Sequence, residues 1–146
     1  LTRSSAASDV YKRQVQNHVS IYEGVICEDD VFLGPSMVFT NVLNPRAHIV
    51  RRDQYKKTMI RKGATVGANA TVLCGIEIGS YGFIGAGSVV TKDVKPYELV
   101  YGNPATHKGW VSKSGHKLAL HKPGDEEICP EGGDLYRLTK KGVIIV

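Results

Sequence analysis

An apolar side chain recurs at every sixth position along much of the chain. Downstream it falls at Ile60, Val66, Val72, Ile78, Ile84 and Val90, in a run reading IRKGAT, VGANAT, VLCGIE, IGSYGF, IGAGSV, VTKDVK. Four residues after each comes a second position, at Ala64, Ala70, Ile76, Gly82, Ser88 and Val94. Upstream, VQNHVS, IYEGVI, CEDDVF and LGPSMV lead with Val15, Ile21, Cys27 and Leu33 and carry Val19, Val25, Val31 and Met37 four residues on. This period fits neither the roughly 3.6-residue turn of an α-helix nor the roughly 3.5-residue repeat of a coiled coil. An ordinary antiparallel β-protein does not keep a fixed period through glycine-rich turns. The pattern predicts an all-β parallel β-helix. Each hexad is a short flat strand plus a turn, and three hexads make one triangular coil of about 18 residues. The leading aliphatic fills the prism, and the residue four later fits the tight space near a corner. Glycines such as Gly67, Gly79 and Gly85 are expected to supply the unusual backbone conformations of the turns.

The two blocks are out of phase, because Leu33 and Ile60 are 27 residues apart. Residues 39–58 (FTNVLNPRAHIVRRDQYKKT) must therefore contain a loop projecting from a corner. It carries Arg46, Arg51, Arg52, Lys56 and Lys57 against Asp53 alone. Long loops on rigid scaffolds are where function concentrates, although a solvated basic excursion is the plain alternative. After Val94 the rhythm stops at Pro96. YGNPA (Tyr101 to Ala105) reads as a turn, and Thr106 to Leu120 as a short helix or extended arm around Trp110. Beyond a polar break, CPEGGDLYRL and KKGVIIV read as a small β-hairpin. The expected organisation is a β-helix over 15–95, a turn and arm over 96–122, and a hairpin appendage over 123–146.

Composition narrows this picture. With 146 residues, 42% hydrophobic and 23% charged, the chain suits one soluble globular domain. Cys27, Cys74 and Cys129 lie far apart, which is neither a disulfide framework nor a zinc site, so a reducing cytoplasmic location and no metal are expected. The net charge of +5 mildly suits an anionic small molecule but is too small and dispersed for nucleic acid. No apolar run approaches the roughly 18 residues of a membrane span. Residues 4–14, SSAASDVYKRQ, translate one frame of a common transposase-based sequencing adapter. Residues 1–14 are therefore expected to lie outside the fold, with the biological sequence starting, truncated, at Val15. Their Arg3, Lys12, Arg13 and Asp9 carry a net +2, leaving +3 for the remainder.

The segments GPSMVFTNVLNPR (Gly34 to Arg46), KGATVGANATVLCG (Lys62 to Gly75), IGAGSVVTKDV (Ile84 to Val94), YGNPA and GW (Gly109, Trp110) resemble the hexapeptide-repeat acyltransferases. FTNVLNPR with its basic loop is similar to the nucleotide-sugar 3-N-acetyltransferases, and CPEGGDLYRL to the C-terminal appendage of some members. The resemblance implies a left-handed β-helix and a homotrimer with active sites between neighbouring prisms. It also implies acetyl-CoA as co-substrate, and a UDP- or dTDP-linked amino sugar as acceptor for cell-surface polysaccharide synthesis. Further N-terminal coils, which such relatives possess, are absent here. No nucleic acid or membrane partner is implied.

Amide formation from a thioester needs an unprotonated amine, an aligned carbonyl and donors for the developing oxyanion. The resemblance maps Asn41 to a polar position that orients the sugar amine or the acetyl carbonyl; a turn or ladder asparagine is the alternative. Asn44 and Arg46 map to the acceptor, Arg46 suiting a sugar carboxylate or pyrophosphate through bidentate contacts. His48 is the one histidine placed to act as a base, whereas His18 reads as a turn variant and His107, His116 and His121 as exposed polar residues of the arm. Backbone groups at Gly67, Ala68, Gly85 and Ala86 map to acetyl-CoA, with Lys92 and the Gly102, Asn103, Pro104 turn at its adenine nucleotide end. Where relatives often carry arginine after GNPA this chain has Thr106, so a phosphate contact is lost or passes to Lys108. Three rivals stand beside this reading: a zinc-binding carbonic anhydrase on the same scaffold, an O-acyltransferase, and a non-catalytic binding module.

Overall fold

Two side chains per hexad turned inward are enough to close a three-sided prism, and the chain folds that way. The computed structural model describes residues 8–10, 13–51 and 56–146, and every regular element among them is a strand. One face stacks the parallel strands Arg13–Val15, Val31–Leu33, Thr65–Val66, Phe83–Ile84 and Glu98–Gly102. The second stacks Val38–Phe39, Thr71–Val72 and Val89–Val90, and the third Val25–Cys27, Thr58–Ile60 and Glu77–Ile78, extended by a bridge from Ile78 to Val94. The architecture is a left-handed parallel β-helix.

Register confirms the arithmetic of the repeat. Val66 pairs with Ile84 and Val72 with Val90, each one 18-residue coil apart. Leu33 pairs with Val66 and Phe39 with Val72 across 33 residues, the excess being the projecting loop. Phe39 and Thr58 close the strands on either side, so the loop itself is 40–57.

The leading residues Leu33, Phe39, Ile60, Val66, Val72, Ile78, Ile84 and Val90 are at most 2% exposed, as are Val31, Met37, Ala64, Ala70 and Ser88 at the second inward position. Burying each of the valine, leucine, isoleucine, phenylalanine and methionine side chains among these contributes roughly 1.5–3 kcal/mol. Ser88 is polar yet buried because its hydroxyl is fully engaged, donating to the Gly85 carbonyl at 2.7 Å and accepting the Gly102 N–H at 3.2 Å.

The corners differ from expectation. Gly67, Gly79 and Gly85 do not take a left-handed conformation. That conformation falls three residues after nine of the leading positions, at His18, Gly24, Asp30, Ser36, Gly63, Asn69, Gly75, Tyr81 and Gly87. Short polar side chains tolerate it best after glycine, which accounts for Asp30, Ser36 and Asn69. Gly67 and Gly85 are instead required by stacking. A Cβ on Gly67 would stand 2.5 Å from the Ala86 nitrogen, one on Gly34 2.6 Å from the Ala68 nitrogen, and one on Gly85 2.8 Å from the Tyr101 Cβ.

At the C-terminal end the chain reverses through Gly102 to Ala105 into Ala105–Val111, antiparallel to Glu98–Gly102, and Lys117–Leu118 adds a further strand. The segment 106–120 is thus extended rather than helical, since its backbone completes the open edge of the first face. The expected hairpin is present as Leu135–Thr139 and Gly142–Ile145, with Glu126–Ile128 added on its edge. Its inner side forms a second core from Trp110, Leu118, Leu120, Cys129, Tyr136, Leu138 and Val143. A tyrosine stack joins this core to the prism: Tyr81 stacks on Tyr97 at 5.6 Å, and Tyr97 meets the edge of Tyr136 at 5.6 Å. Burial, with Tyr136 and Tyr81 alongside, pushes the Tyr97 phenol up to about 12. Residues 1–7 and 11–12 of the adapter-like stretch lie outside the described residues. Arg13 and Gln14 pair with Val31 and Phe32, and Arg13 Nε donates to the carbonyls of Cys27 at 3.0 Å and Glu28 at 3.2 Å.

Gly67→Ala is expected to cost about 1–3 kcal/mol by overpacking against backbone, measured by urea unfolding. Gly87→Ala, which meets open space at φ +70°, should cost only about 1 kcal/mol. Equal losses would contradict the stacking role. The raised Tyr97 phenol stabilises the fold at pH values below the ordinary tyrosine range of about 10, and that contribution disappears as pH climbs toward about 12. Tyr97→Phe should therefore flatten the alkaline loss of stability between those limits.

Candidate active site

From the second coil onward, the first corner carries small side chains and leaves its backbone close to the surface. Pro35, Ala68 and Ala86 succeed one another there, tied by bonds from the Asn69 N–H to the Pro35 carbonyl at 3.1 Å and from the Gly87 N–H to the Ala68 carbonyl at 2.8 Å. The reversal at Gly102 continues this column, because the Gly85 N–H donates to the Val100 carbonyl at 2.9 Å and the Gly102 N–H reaches Ser88. Gly67, Ala68, Gly85, Ala86 and the Gly102, Asn103, Pro104 turn thus form one continuous ridge of small residues, Ala86 and 102–104 being exposed.

The loop springs from the next corner, across the second face. Both its ends are tied to one pair of adjacent amides: the Cys74 N–H donates to Thr40 Oγ1 at 3.0 Å, and the Gly75 N–H to Thr58 Oγ1 at 3.2 Å. A threonine hydroxyl at each junction replaces the strand-to-strand bonds that an uninterrupted coil would make. Within the loop, Asn41 is half-buried immediately after Thr40, whereas Asn44, Arg46 and His48 are exposed. Arg46 Nη1 donates to the Pro45 carbonyl at 3.2 Å and the Ile49 N–H to the Arg46 carbonyl at 3.2 Å, folding a turn. Val42, Pro45, Arg46, Ile49, Val50 and Arg51 line a cleft of about 350 Å³. Arg52 and Asp53 lie outside the described residues. Leu43, Ile49 and Val50 are 54%, 42% and 83% exposed, an unusual amount of open apolar surface for one loop.

Lys92 occupies the corner beyond the second face and opens on a cleft of about 220 Å³ shared with Lys95, Glu98, Thr106 and His107. His107 is exposed, as its place in the arm predicts, and it has a partner. Its Nδ1 lies 2.6 Å from the Glu98 carboxylate, whose other oxygen accepts the Lys95 N–H at 2.8 Å. Its ring meets Trp110 edge-on at 4.9 Å. Lys108 lies over the Tyr101 ring at 5.0 Å and does not line this cleft. The carboxylate partner lies nine residues away in sequence, across an antiparallel pairing with a register shift, so sequence spacing gave no sign of it. Among the described residues no three histidine, cysteine, aspartate or glutamate side chains converge as a metal site would require.

Known proteins resemble this chain in repeat and fold. Residues 57–92 match the family described as bacterial transferase hexapeptide (six repeats). The dTDP-3-amino-3,6-dideoxy-alpha-D-galactopyranose 3-N-acetyltransferase of Aneurinibacillus thermoaerophilus is 47% identical over 66 residues, covering 45% of this chain and 34% of that protein. The crystal structure of serine acetyltransferase from Neisseria gonorrhoeae superposes with a TM-score of 0.55 at 26% identity, covering 67% of this chain and 36% of that one. A serine acetyltransferase solved in complex with CoA superposes at 0.52 and 28% identity, over 64% of this chain and 34% of its own. The chain therefore spans about a third of the length of each of these relatives.

Thr40→Val should leave the Cys74 N–H without its side-chain acceptor, at a cost of about 1–3 kcal/mol. Limited trypsin digestion is expected to cleave at Arg46, Arg51 or Lys56 several-fold faster in this variant. Unchanged cleavage would show that the loop does not depend on the anchor.

Proposed function

We propose that this chain, a hexapeptide-repeat protein sharing repeat and fold with the family's acetyltransferases, transfers an acetyl group from acetyl-CoA to the 3-amino group of a nucleotide-linked sugar. The observation that carries the reading is the ridge of small residues running from Ala68 through Ala86 to Pro104 beside a polar loop. An extended pantetheine arm needs exposed backbone amides at close range, and side chains larger than these would hold it off. The similarity to a dTDP-amino-sugar 3-N-acetyltransferase supports the amine acceptor, and the likeness to a CoA-bound acetyltransferase supports the co-substrate.

In this reading the sugar amine attacks the thioester carbonyl, a C–N bond forms, and the C–S bond breaks to release the CoA thiol. The ammonium proton passes to solvent or to a nearby base. Asn41, half-buried at the root of the loop, orients the amine or donates to the developing oxyanion, a contribution of about 3 kcal/mol for a well-placed donor. Arg46 and Asn44 hold the acceptor's anionic part. His48 is the candidate base, although an amine needs far less help than a hydroxyl. Backbone at Gly67, Ala68, Gly85 and Ala86 aligns the pantetheine arm, while Lys92 and the 102–104 turn face the nucleotide end. The exposed Leu43, Ile49 and Val50 support a homotrimer in which a neighbouring prism covers the loop.

The test is acetyl-CoA-dependent thiol release with dTDP- and UDP-linked 3-amino sugars, using serine and a galactoside as hydroxyl acceptors for comparison. Release with a 3-amino sugar supports the reading. Release with a hydroxyl acceptor alone would favour O-acetyl transfer, as in the serine acetyltransferases of the same fold. Arg46→Ala is expected to raise the acceptor KM by about 10- to 100-fold with the acetyl-CoA KM nearly unchanged, and Arg46→Lys should not restore it.

A further inference from the structure

We propose that a second copy of this chain docks on the free edge of strand Gly142–Ile145, the two strands pairing antiparallel about a two-fold axis at Ile144. The inference stands apart from the acetyl-transfer reading. Gly142–Ile145 is an outer strand of the appendage sheet, with Leu135–Thr139 on one side and no strand on the other. The Val146 N–H donates to the Leu135 carbonyl at 2.9 Å. Antiparallel ladders alternate, so Gly142 and Ile144 likewise bond toward Leu135–Thr139, while Val143 and Ile145 turn their N–H and C=O groups to the open side. No hydrogen bond among the described residues takes those groups up. Val143, Ile144, Ile145 and Val146 are all β-branched, and the strand carries neither a proline nor a register shift of the kind that keeps edges apart.

Two further features fit this edge to a copy of itself. The outward face beside it is apolar, with Ile144 and Val146 45% and 56% exposed and Ile128, on the opposite outer strand, 63%. The charges at the two ends of the strand are complementary. Exposed Lys140 and Lys141 precede it, whereas Asp134, just before Leu135, stands beside its far end. None of the three joins an ion pair among the described residues. An antiparallel copy brings the lysines of each chain toward the aspartate of the other, whereas a parallel copy would set lysines against lysines. Centred on Ile144, the pairing matches Val143 of each chain with Ile145 of the other, each match exchanging both backbone hydrogen bonds. The two Ile144 side chains then meet as a non-hydrogen-bonded pair, their Cα atoms about 4.5 Å apart.

Ile144→Cys in the full chain tests the register directly. Cysteines meeting across the axis fall within the roughly 4.4–6.8 Å Cα separation that a disulfide spans. Mild oxidation should therefore convert most of this variant to a covalent dimer on a non-reducing gel. Ile128→Cys is the control. It is more exposed, yet pairing leaves its two copies five strand spacings of about 4.8 Å apart, so it should stay uncrosslinked, like the wild type. Sedimentation velocity gives a second readout: Ile144→Lys, which sets like charges on the axis, should form particles of half the wild-type mass. Thermal unfolding checks that each variant is folded, and if Ile144→Lys is not, the cysteine pair decides alone. Equal cross-linking of Ile144→Cys and Ile128→Cys, or none with either, overturns the inference. Unchanged mass in folded Ile144→Lys overturns it as well.

Discussion

Everything in the molecule depends on how closely consecutive coils approach at the first corner. Parallel strands sit about 4.8 Å apart, and at that spacing a corner that turns inward leaves no room for a side chain between one coil's backbone and the next. Gly34, Gly67 and Gly85 are there for that reason, with backbone nitrogen or a Tyr101 carbon within 2.5–2.8 Å of where a Cβ would stand. The same closeness lets the Gly67 N–H bond the Ile84 carbonyl at 2.8 Å and the Gly85 N–H the Val100 carbonyl at 2.9 Å. It also leaves the ridge of Ala68 and Ala86 bare of bulky groups. The feature that makes the prism stack is thus the feature that makes its corner approachable by an extended ligand.

Much of this was legible in the sequence because a prism interior offers few choices. Leading aliphatics such as Ile60, Val66 and Ile78 announce their burial by period alone, and the phase break between Leu33 and Ile60 announces the loop. Turn geometry was misassigned because two kinds of corner position both accept glycine. One needs a left-handed backbone and takes Asn69 or Asp30 as well as Gly63; the other, crowded by the next coil at Gly34, Gly67 and Gly85, needs an absent side chain. Reading the positions three residues after each leading aliphatic together, rather than the glycines alone, separates the two.

The C-terminal region was less legible for a different reason. Beyond Pro96 no period constrains the chain, and pairing is antiparallel, with partners set by a bulged hairpin whose register has no sequence signal. His107 and Glu98 meet only because of that register. Trp110 was visible as a large apolar group, but the core it shares with Tyr136, and the tyrosine stack from Tyr81 through Tyr97 that joins it to the prism, depend on three separate elements meeting. The loop candidates Asn41, Asn44, Arg46 and His48 were located as a group by the phase break, while their individual exposures carry no periodic signal.

Those anchors carry a consequence for how such a scaffold changes over evolutionary time. Because both ends of the excursion are fastened to the neighbouring amides of Cys74 and Gly75, the contour between them does not bear on coil register at all. The entropy of closing a loop grows only slowly with its length, by about 0.6 kcal/mol for each doubling. Segments of very different length and chemistry are therefore exchangeable at this junction, leaving the stacked corner untouched while the exposed excursion is rewritten.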